Sequence, residues 1–377
     1  MVIVSAIDLL VYKLQMLYAD KLSILFAAYL LMELIGLLYT DIANINAGMV
    51  LVEMHILFIV VPFIFYNYPF TNKIKNHALV VYIATCAIAS IICIIGNIYI
   101  SMRDYDTTFS EWRFSHNRFS EPIGMQAVYF AMYLSMSIII LFNKMIGYFN
   151  VWSKARRLML VLLLLFFFVV LVTLGARTIT VALVFILFLT VCKIALEKKS
   201  YTILFFAILV PLIFIALIFT NPVVTTRFMD LRHNQVEGSN YESYFARTNI
   251  WTPGLDAIKG NILFGVGTGD QQAELNKQFI KHDYLFGVNL FNMHNQYLQI
   301  FLGYGILGLL LFIFILYTII KTGIQKKNFI LLSFVLLFMM TCLTESVLCR
   351  NKGVVFFVFF TFFLCKSNHD NLKVNHG

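Results

Sequence analysis

Residues 158–195 read LMLVLLLLFFFVVLVTL-GART-ITVALVFILFLTVCKIA, which is two apolar runs separated by only four residues. Each run, 158–174 and 179–195, has about the length that an α-helix needs to cross the hydrocarbon core of a bilayer. The connection between them is too short for anything except a tight turn at the membrane surface. The stretch therefore predicts a transmembrane helical hairpin with Arg177 at its tip.

The rest of the chain has the same character. Of its 377 residues 60% are hydrophobic and 12% charged, and the mean hydropathy is +0.84; a soluble domain carries roughly 25% charged residues. The ten apolar runs are 22–39, 48–66, 78–100, 123–142, 158–174, 179–195, 201–220, 297–320, 329–343 and 353–365. We predict an all-α integral membrane protein with about ten transmembrane helices, and an interfacial segment at residues 1–19.

The distribution of charge predicts the topology. If both termini face the cytoplasm, the inner segments hold 16 Lys and Arg residues and the short outer segments hold 6, as the positive-inside rule requires. We predict three parts: N-terminal transmembrane helices over 1–220, one large extracytoplasmic loop over 221–296, and C-terminal helices with a short tail over 297–377. The net charge of +9 fits this rule, so it does not indicate nucleic-acid binding.

The end of the large loop contains a candidate catalytic residue. His294 and Asn295 lie directly before an apolar run that carries Gly305 and Gly308. A histidine at the membrane boundary can act as a general base, because its ordinary pKa of about 6.5 leaves much of it neutral at pH 7. The alternative is a polar residue that caps the helix, with glycines that serve only close packing.

Two arginines are candidates for anion binding. Arg177 lies at the hairpin tip, where an arginine is costly unless it meets an anion or reaches the lipid head groups. Arg247 and Trp251 are spaced to share one face of a short helix that should stop near Trp251, because Pro253 follows. A solvated arginine on a surface helix is the alternative for Arg247.

Other residues are weaker candidates. Glu345, at the outer end of a predicted span, could orient a base or bind a sugar hydroxyl. Asp104 and Asp106 have the spacing of a metal-binding carboxylate pair, although such pairs are usually only solvated. Glu33, Glu53 and His55 could belong to a proton path, but hydrogen bonds between neighbouring helices are the simpler explanation. Residues 264–270 lack the features of a nucleotide-binding loop and predict a tight turn.

Together these residues resemble the O-antigen ligase and O-antigen polymerase family of bacterial membrane glycosyltransferases. The hallmark is a His-Asn-like pair, then nine residues, then Gly-x-x-Gly, and it fits His294-Asn295 followed by Gly305 and Gly308. Arg177, and the Arg247-x-x-x-Trp251 pattern followed by a Gly-x-Gly turn, extend the resemblance over residues 170–310. The resemblance implies a GT-C-like membrane fold.

The resemblance also implies a reaction: metal-independent, inverting transfer of a glycan from a polyprenyl diphosphate to an acceptor hydroxyl. In this interpretation His294 is the base, while Arg177 and Arg247 stabilise the departing diphosphate. The implied substrate-binding residues are Arg227, Arg232, Trp251, Asn295 and Glu345. This sequence has Gly175-Ala176 where many relatives have a Ser or Thr before the arginine, so the hydroxyl's contribution is missing and the cation is retained.

The implied setting is the bacterial cytoplasmic (inner) membrane, with the active site on the periplasmic side. The donor would be an undecaprenyl-diphosphate-linked glycan and the acceptor a glycan or lipid A-core, with the lipid bilayer, a flippase and a chain-length regulator as partners. No cofactor and no metal are expected. The sequence leaves polymerase and ligase unresolved. A flippase, a protein O-oligosaccharyltransferase and a non-catalytic scaffold are the alternatives.

Overall fold

The computed structural model describes residues 20–67, 71–103, 114, 116–148, 151–199, 244–289 and 291–366. Every regular element in these ranges is helical, as predicted. The longer helices are α1 Lys21–Leu37, α2 Ile45–His55, α3 Leu57–Asn67, α4 Asn72–Arg103, α5 Ala127–Tyr148, α6 Lys154–Leu174, α7 Arg177–Glu197, α8 Tyr244–Lys259, α9 Gln271–Lys281, α10 Gln296–Gln325, α11 Phe329–Cys342 and α12 Asn351–Cys365.

Six helical segments are long and apolar enough to cross a membrane: Ile42–Asn67, Asn72–Arg103, Ala127–Tyr148, Lys154–Leu174, Arg177–Glu197 and Gln296–Gln325. The first of these combines α2 and α3. Two shorter apolar helices, α11 and α12, lie on the last two predicted runs, and α1 lies on the first. The chain is therefore a multi-pass helical membrane protein. The predicted segments 1–19 and 201–220 lie outside the described residues, as does the part of the predicted 221–296 loop that precedes α8, residues 221–243.

The chain divides into two compact units. The first comprises Met1–Asn72, Asn240–Val335 and Cys342–Gly377, and the second comprises Lys73–Ser239 and Leu336–Thr341. In the first unit, α10 packs against α1, and α12 against α3. Aromatic rings fill the space between α1, α3 and α12: the Phe26 ring centroid lies 5.1 Å from that of Phe58 and 5.4 Å from that of Phe357.

Helix α10 is broken at Gly305, which has φ 64° and ψ −163°. The break releases hydrogen-bonding groups that a continuous helix would pair internally, and residues 261–270, called here the GxG loop, take them up. Val266 N donates to Leu302 O (2.9 Å), Gly267 N to Gly303 O (3.0 Å), and Ile306 N to Ile262 O (2.8 Å). The predicted turn is thus confirmed, and it also completes a membrane helix.

The break depends on two close backbone contacts that exclude side chains. A Cβ at Gly305 would lie 2.3 Å from the carbonyl of Leu263, and one at Gly265 would lie 2.4 Å from that of Gly303. Gly305 also has a backbone conformation that is essentially restricted to glycine. The first glycine of Gly-x-x-Gly therefore serves a helix break, and not helix-to-helix packing.

In the second unit, α6 and α7 pack against α5, which is almost entirely buried over its first 15 residues. Gly175 ends α6 in the left-handed conformation (φ 60°), and its N–H donates to Val172 O at 3.0 Å, as helix C-caps do. Helix α7 begins two residues later at Arg177. The tight hairpin predicted from residues 158–195 is confirmed.

One prediction is wrong: α8 does not stop near Trp251 but continues through Pro253 to Lys259. The proline removes one backbone donor, yet Ile250, Ala257 and Ile258 recur at helical spacing and are buried in one apolar cluster with Met293 and Leu302. Burial of this face offsets the lost hydrogen bond. Packing with distant residues therefore decides where the helix ends.

Candidate active site

His294 lies in the connection that leads into α10, and its backbone is strained. Its φ is 41°, in the left-handed region, which non-glycine residues adopt at a cost and often at functional sites. The conformation is held locally, because His294 N donates to Asn292 Oδ1 at 2.9 Å. The Phe291 ring, with its centroid 5.7 Å from that of His294, packs edge-on beside the imidazole.

Glu345 lies next to this imidazole. His294 Nδ1 is 3.5 Å from Glu345 Oε2, and the side chains are 28% and 16% exposed, respectively. A carboxylate at Nδ1 favours the tautomer that carries its proton there, and the other nitrogen, Nε2, can then accept a proton. The pair is sheltered but open to solvent, as a base that must reach a substrate hydroxyl has to be.

Asn295 joins the start of α10 to the chain segment that holds Glu345. Its Oδ1 accepts a hydrogen bond from Leu298 N (3.1 Å), which makes it the N-cap of α10, and its Nδ2 donates to Leu343 O (3.1 Å). The capping role considered for the histidine therefore belongs to Asn295. Both ends of its amide bind protein groups, and its contact with substrate stays a prediction.

Trp251 connects α8 to the same region. Its Nε1 donates to Met293 O at 3.0 Å, so the residue before His294 is tied to α8. Arg247 lies one turn earlier on α8 and is half-buried. The predicted common face of Arg247 and Trp251 is confirmed, because α8 is helical over both residues and they are four positions apart.

Two buried glutamines were missed by the sequence reasoning. Gln299 Oε1 accepts from Met293 N (3.0 Å), and its Nε2 donates to Gln271 Oε1 (2.7 Å). Gln296 Oε1 accepts from Leu348 N at 2.7 Å. The available signal was two long polar side chains, three residues apart, at the start of an otherwise apolar span; such groups must find buried partners.

Glu33 and His55 form a buried pair. His55 Nδ1 lies 2.6 Å from Glu33 Oε1, and the two side chains are 3% and 0% exposed. Tyr304 OH donates to the same carboxylate oxygen at 3.1 Å. The hydrogen bonding between helices expected from the sequence is confirmed for Glu33 and His55, whereas Glu53 is exposed.

Arg177 belongs to the second unit, where it is the first residue of α7 and half-buried. The predicted ligands Arg227 and Arg232, and the carboxylates Asp104 and Asp106, lie outside the described residues. Within the described ranges, no three His, Cys, Asp or Glu side chains are grouped as metal ligands.

These features define a class: a multi-pass helical membrane protein with a histidine–carboxylate pair where a loop enters a span. More specifically, residues 160–313 match the family model described as O-Antigen ligase. The match includes Arg177, Arg247, His294 and the Gly305 break. A comparison with curated proteins gives no match. This match supports a role in surface-polysaccharide assembly.

Proposed function

We propose that the protein transfers a glycan from a polyprenyl diphosphate, in bacteria undecaprenyl diphosphate, to an acceptor hydroxyl with inversion at the anomeric carbon. The observation that carries the proposal is the contact of Glu345 with His294, which lies on a strained, hydrogen-bonded connection inside the matched residues 160–313. The acceptor is a glycan or lipid A-core. The reaction takes place on the periplasmic side of the cytoplasmic membrane.

In the proposed step, the acceptor oxygen attacks the anomeric carbon while its proton passes to His294 Nε2. The bond between that carbon and the phosphate oxygen breaks with its electron pair, and the polyprenyl diphosphate leaves as an anion. Glu345 stabilises the imidazolium that forms, as a carboxylate does in hydrolase triads. The imidazolium later returns its proton to water, which restores the base.

The departing diphosphate gathers negative charge, which fixed cations must meet. Arg177, at the N-terminal end of α7, and Arg247 on α8 are the proposed cations. Their planar guanidinium groups suit phosphate oxygens, and each charge-assisted hydrogen bond contributes roughly 1.5–3 kcal/mol. Arg227, Arg232, Trp251 and Asn295 remain the proposed contacts to the second phosphate and the glycan. With two arginines on a good leaving group, the reaction needs no divalent metal.

Substitution of His294 tests the proposal. Purified His294→Ala protein should lose transfer of a lipid-linked glycan by about 10³-fold, within the range attributed to general bases. The matched control is His282→Ala, because His282 also pairs with a carboxylate, Asp256, at 2.9 Å but on the exposed surface. Transfer by His294→Ala at the rate of the control would remove His294 as the base.

The same assay tests metal independence. The wild-type rate should be unchanged after treatment with a strong chelator and dialysis. A loss that magnesium or manganese restores would overturn the metal-independent step and direct attention to Asp104 and Asp106.

A further inference from the structure

The Glu33–His55 pair is connected to Gln296 and to the segment that carries Glu345 through the backbone of one residue, Leu348. His55 Nε2 lies 3.0 Å from Leu348 O, and Leu348 N donates to Gln296 Oε1 at 2.7 Å. Both polar groups of Leu348 are therefore held by buried side chains. Leu348 lies three residues after Glu345, in the stretch 343–349, called here the Glu345 connection.

The other end of this connection is held as well, because Asn295 Nδ2 donates to Leu343 O at 3.1 Å. Glu345 thus lies between two anchors, one from Asn295 and one from His55 together with Gln296. The geometry fixes the carboxylate beside His294, which lies 51 residues earlier in the sequence. A shift of about 1 Å in such a group can cost on the order of 10²-fold in rate.

The partner of His55 Nε2 determines that this ring nitrogen carries a hydrogen. A carbonyl only accepts, so Nε2 must carry a hydrogen to bond to Leu348 O. Nδ1 then either accepts a hydrogen bond from a neutral Glu33 or donates one to the Glu33 carboxylate. In both states Glu33 orients the ring, and the Nε2–H is directed at the Glu345 connection.

We propose that His55, oriented by Glu33, is a positioning residue that holds the Glu345 connection and thereby sets the His294–Glu345 contact. This inference rests on the proposed function. A buried carboxylate–histidine pair inside apolar helices is an expensive way to fill space, since apolar residues of similar volume usually stabilise at least as well. The directional bond to Leu348 O is what an apolar pair could not supply.

Two substitutions at His55 separate the two halves of the ring. In His55→Gln, the amide nitrogen reaches the position of Nε2 and keeps a donor for Leu348 O. In His55→Asn, the shorter amide reaches the position of Nδ1 and keeps only the contact with Glu33. We expect kcat within about threefold of wild type for Gln and a loss of about tenfold for Asn, the equivalent of one hydrogen bond. KM for the lipid-linked donor should change less than about twofold in both.

Backbone hydrogen exchange of the purified protein in lipid nanodiscs reads the anchor without any assay of activity. Amides of residues 343–349 should exchange about tenfold faster in His55→Asn and at the wild-type rate in His55→Gln. Tyr304→Phe is the control, because it removes a donor to Glu33 and leaves the bond to Leu348 intact; its kcat should remain within about threefold. A His55→Asn, Glu345→Gln double variant should be no slower than Glu345→Gln alone.

Equal losses in the Gln and Asn variants, unchanged kcat in Asn, or an additive double variant would each overturn the inference. Wild type and His294→Ala belong in the same experiment. If His294→Ala is fully active, the proposed function fails and the catalytic part of this inference fails with it, while the exchange data still show whether His55 holds the connection.

Discussion

Two histidine–carboxylate pairs lie near α8, one at each end of the helix, and they differ in their surroundings. At the C-terminal end, Asp256 accepts from Lys259 (2.6 Å) and lies 2.9 Å from His282, on an exposed surface. At the N-terminal half, Trp251 holds Met293, the neighbour of a second histidine–carboxylate pair. Polar contact alone therefore does not distinguish a site from a surface.

The difference lies in what holds each pair. The His282 pair depends on side chains that solvent can replace, whereas the His294 pair stands on a strained backbone and two buried hydrogen-bonded connections. Surface ion pairs contribute little to stability. Buried polar connections hold side chains in precise positions, and for this reason we propose the His294 pair, and not the His282 pair, as the functional one.

The largest effect should come from Gly305→Ala, which removes the framework under the His294 end. The new Cβ would lie 2.3 Å from the Leu263 carbonyl, in a conformation that alanine rarely adopts. We expect loss of folded protein, measured as membrane abundance and monodispersity after extraction. The control is Gly260→Ala, directly after the last residue of α8, because a Cβ there meets nothing within 4 Å. Equal abundance of the Gly305→Ala and Gly260→Ala variants would contradict the role of the helix break.

Conservative exchange of the arginines should have the next largest effect. Arg247→Lys and Arg177→Lys keep the charge but lose the two-pronged contact with phosphate, so transfer should fall about 10- to 100-fold, as the loss of one or two charge-assisted hydrogen bonds predicts. Lys259→Arg, on the same helix as Arg247, should be close to wild type. Full activity in both arginine variants would show that shape is unimportant there.

A smaller loss is expected for Glu345→Gln. The amide keeps the size of the carboxylate but removes its negative charge from beside His294. At a separation of 3.5 Å we expect a loss at the low end of that for a charge-assisted hydrogen bond, so kcat should fall about tenfold. Asp256→Asn makes the same chemical change at the His282 pair. A comparable loss in both variants would erase the distinction between the two ends of α8.

The smallest effect belongs to the exposed pair. Hydrogen bonds from Lys259 and His282 lower the pKa of Asp256 below its ordinary value of 3.8. Its contribution to stability is therefore complete above about pH 4 and disappears as the pH falls through the lowered pKa. Asp256→Asn should leave the transfer rate within about twofold at pH 7. Its melting temperature should approach that of wild type as the pH is lowered toward 3, and a gap that widens would show the opposite linkage.

Much of the fold could be predicted from local sequence, because apolar length alone defines a span. The hairpin at Arg177 follows from two such runs and a glycine. The end of α8 could not be predicted, since burial of Ile250 and Ala257 against distant residues outweighs Pro253. The break at Gly305 was equally hidden, because its partners, Val266 and Gly267, lie about 40 positions earlier in the chain.

The candidate site follows the same rule. The His294 motif and Glu345 were visible as residue types, and Glu345 was already considered as a group that orients the base. The hydrogen bonds that hold Leu348 could not be predicted, because no local pattern in the sequence joins Gln296 or His55 to its backbone. Long-range hydrogen bonds to main-chain groups leave no signature in a single sequence.

The interrupted helix α10 also constrains the order in which this protein can be assembled. Synthesis delivers Ile262, Val266 and Gly267 before the glycine-broken helix emerges. At that moment the newly released segment offers two carbonyls and one amide that lipid cannot satisfy. The earlier segment must therefore be in position when this helix inserts, so the two segments have to assemble together. If the loop docked late, the broken helix would be left with unpaired backbone groups and open to quality-control proteases.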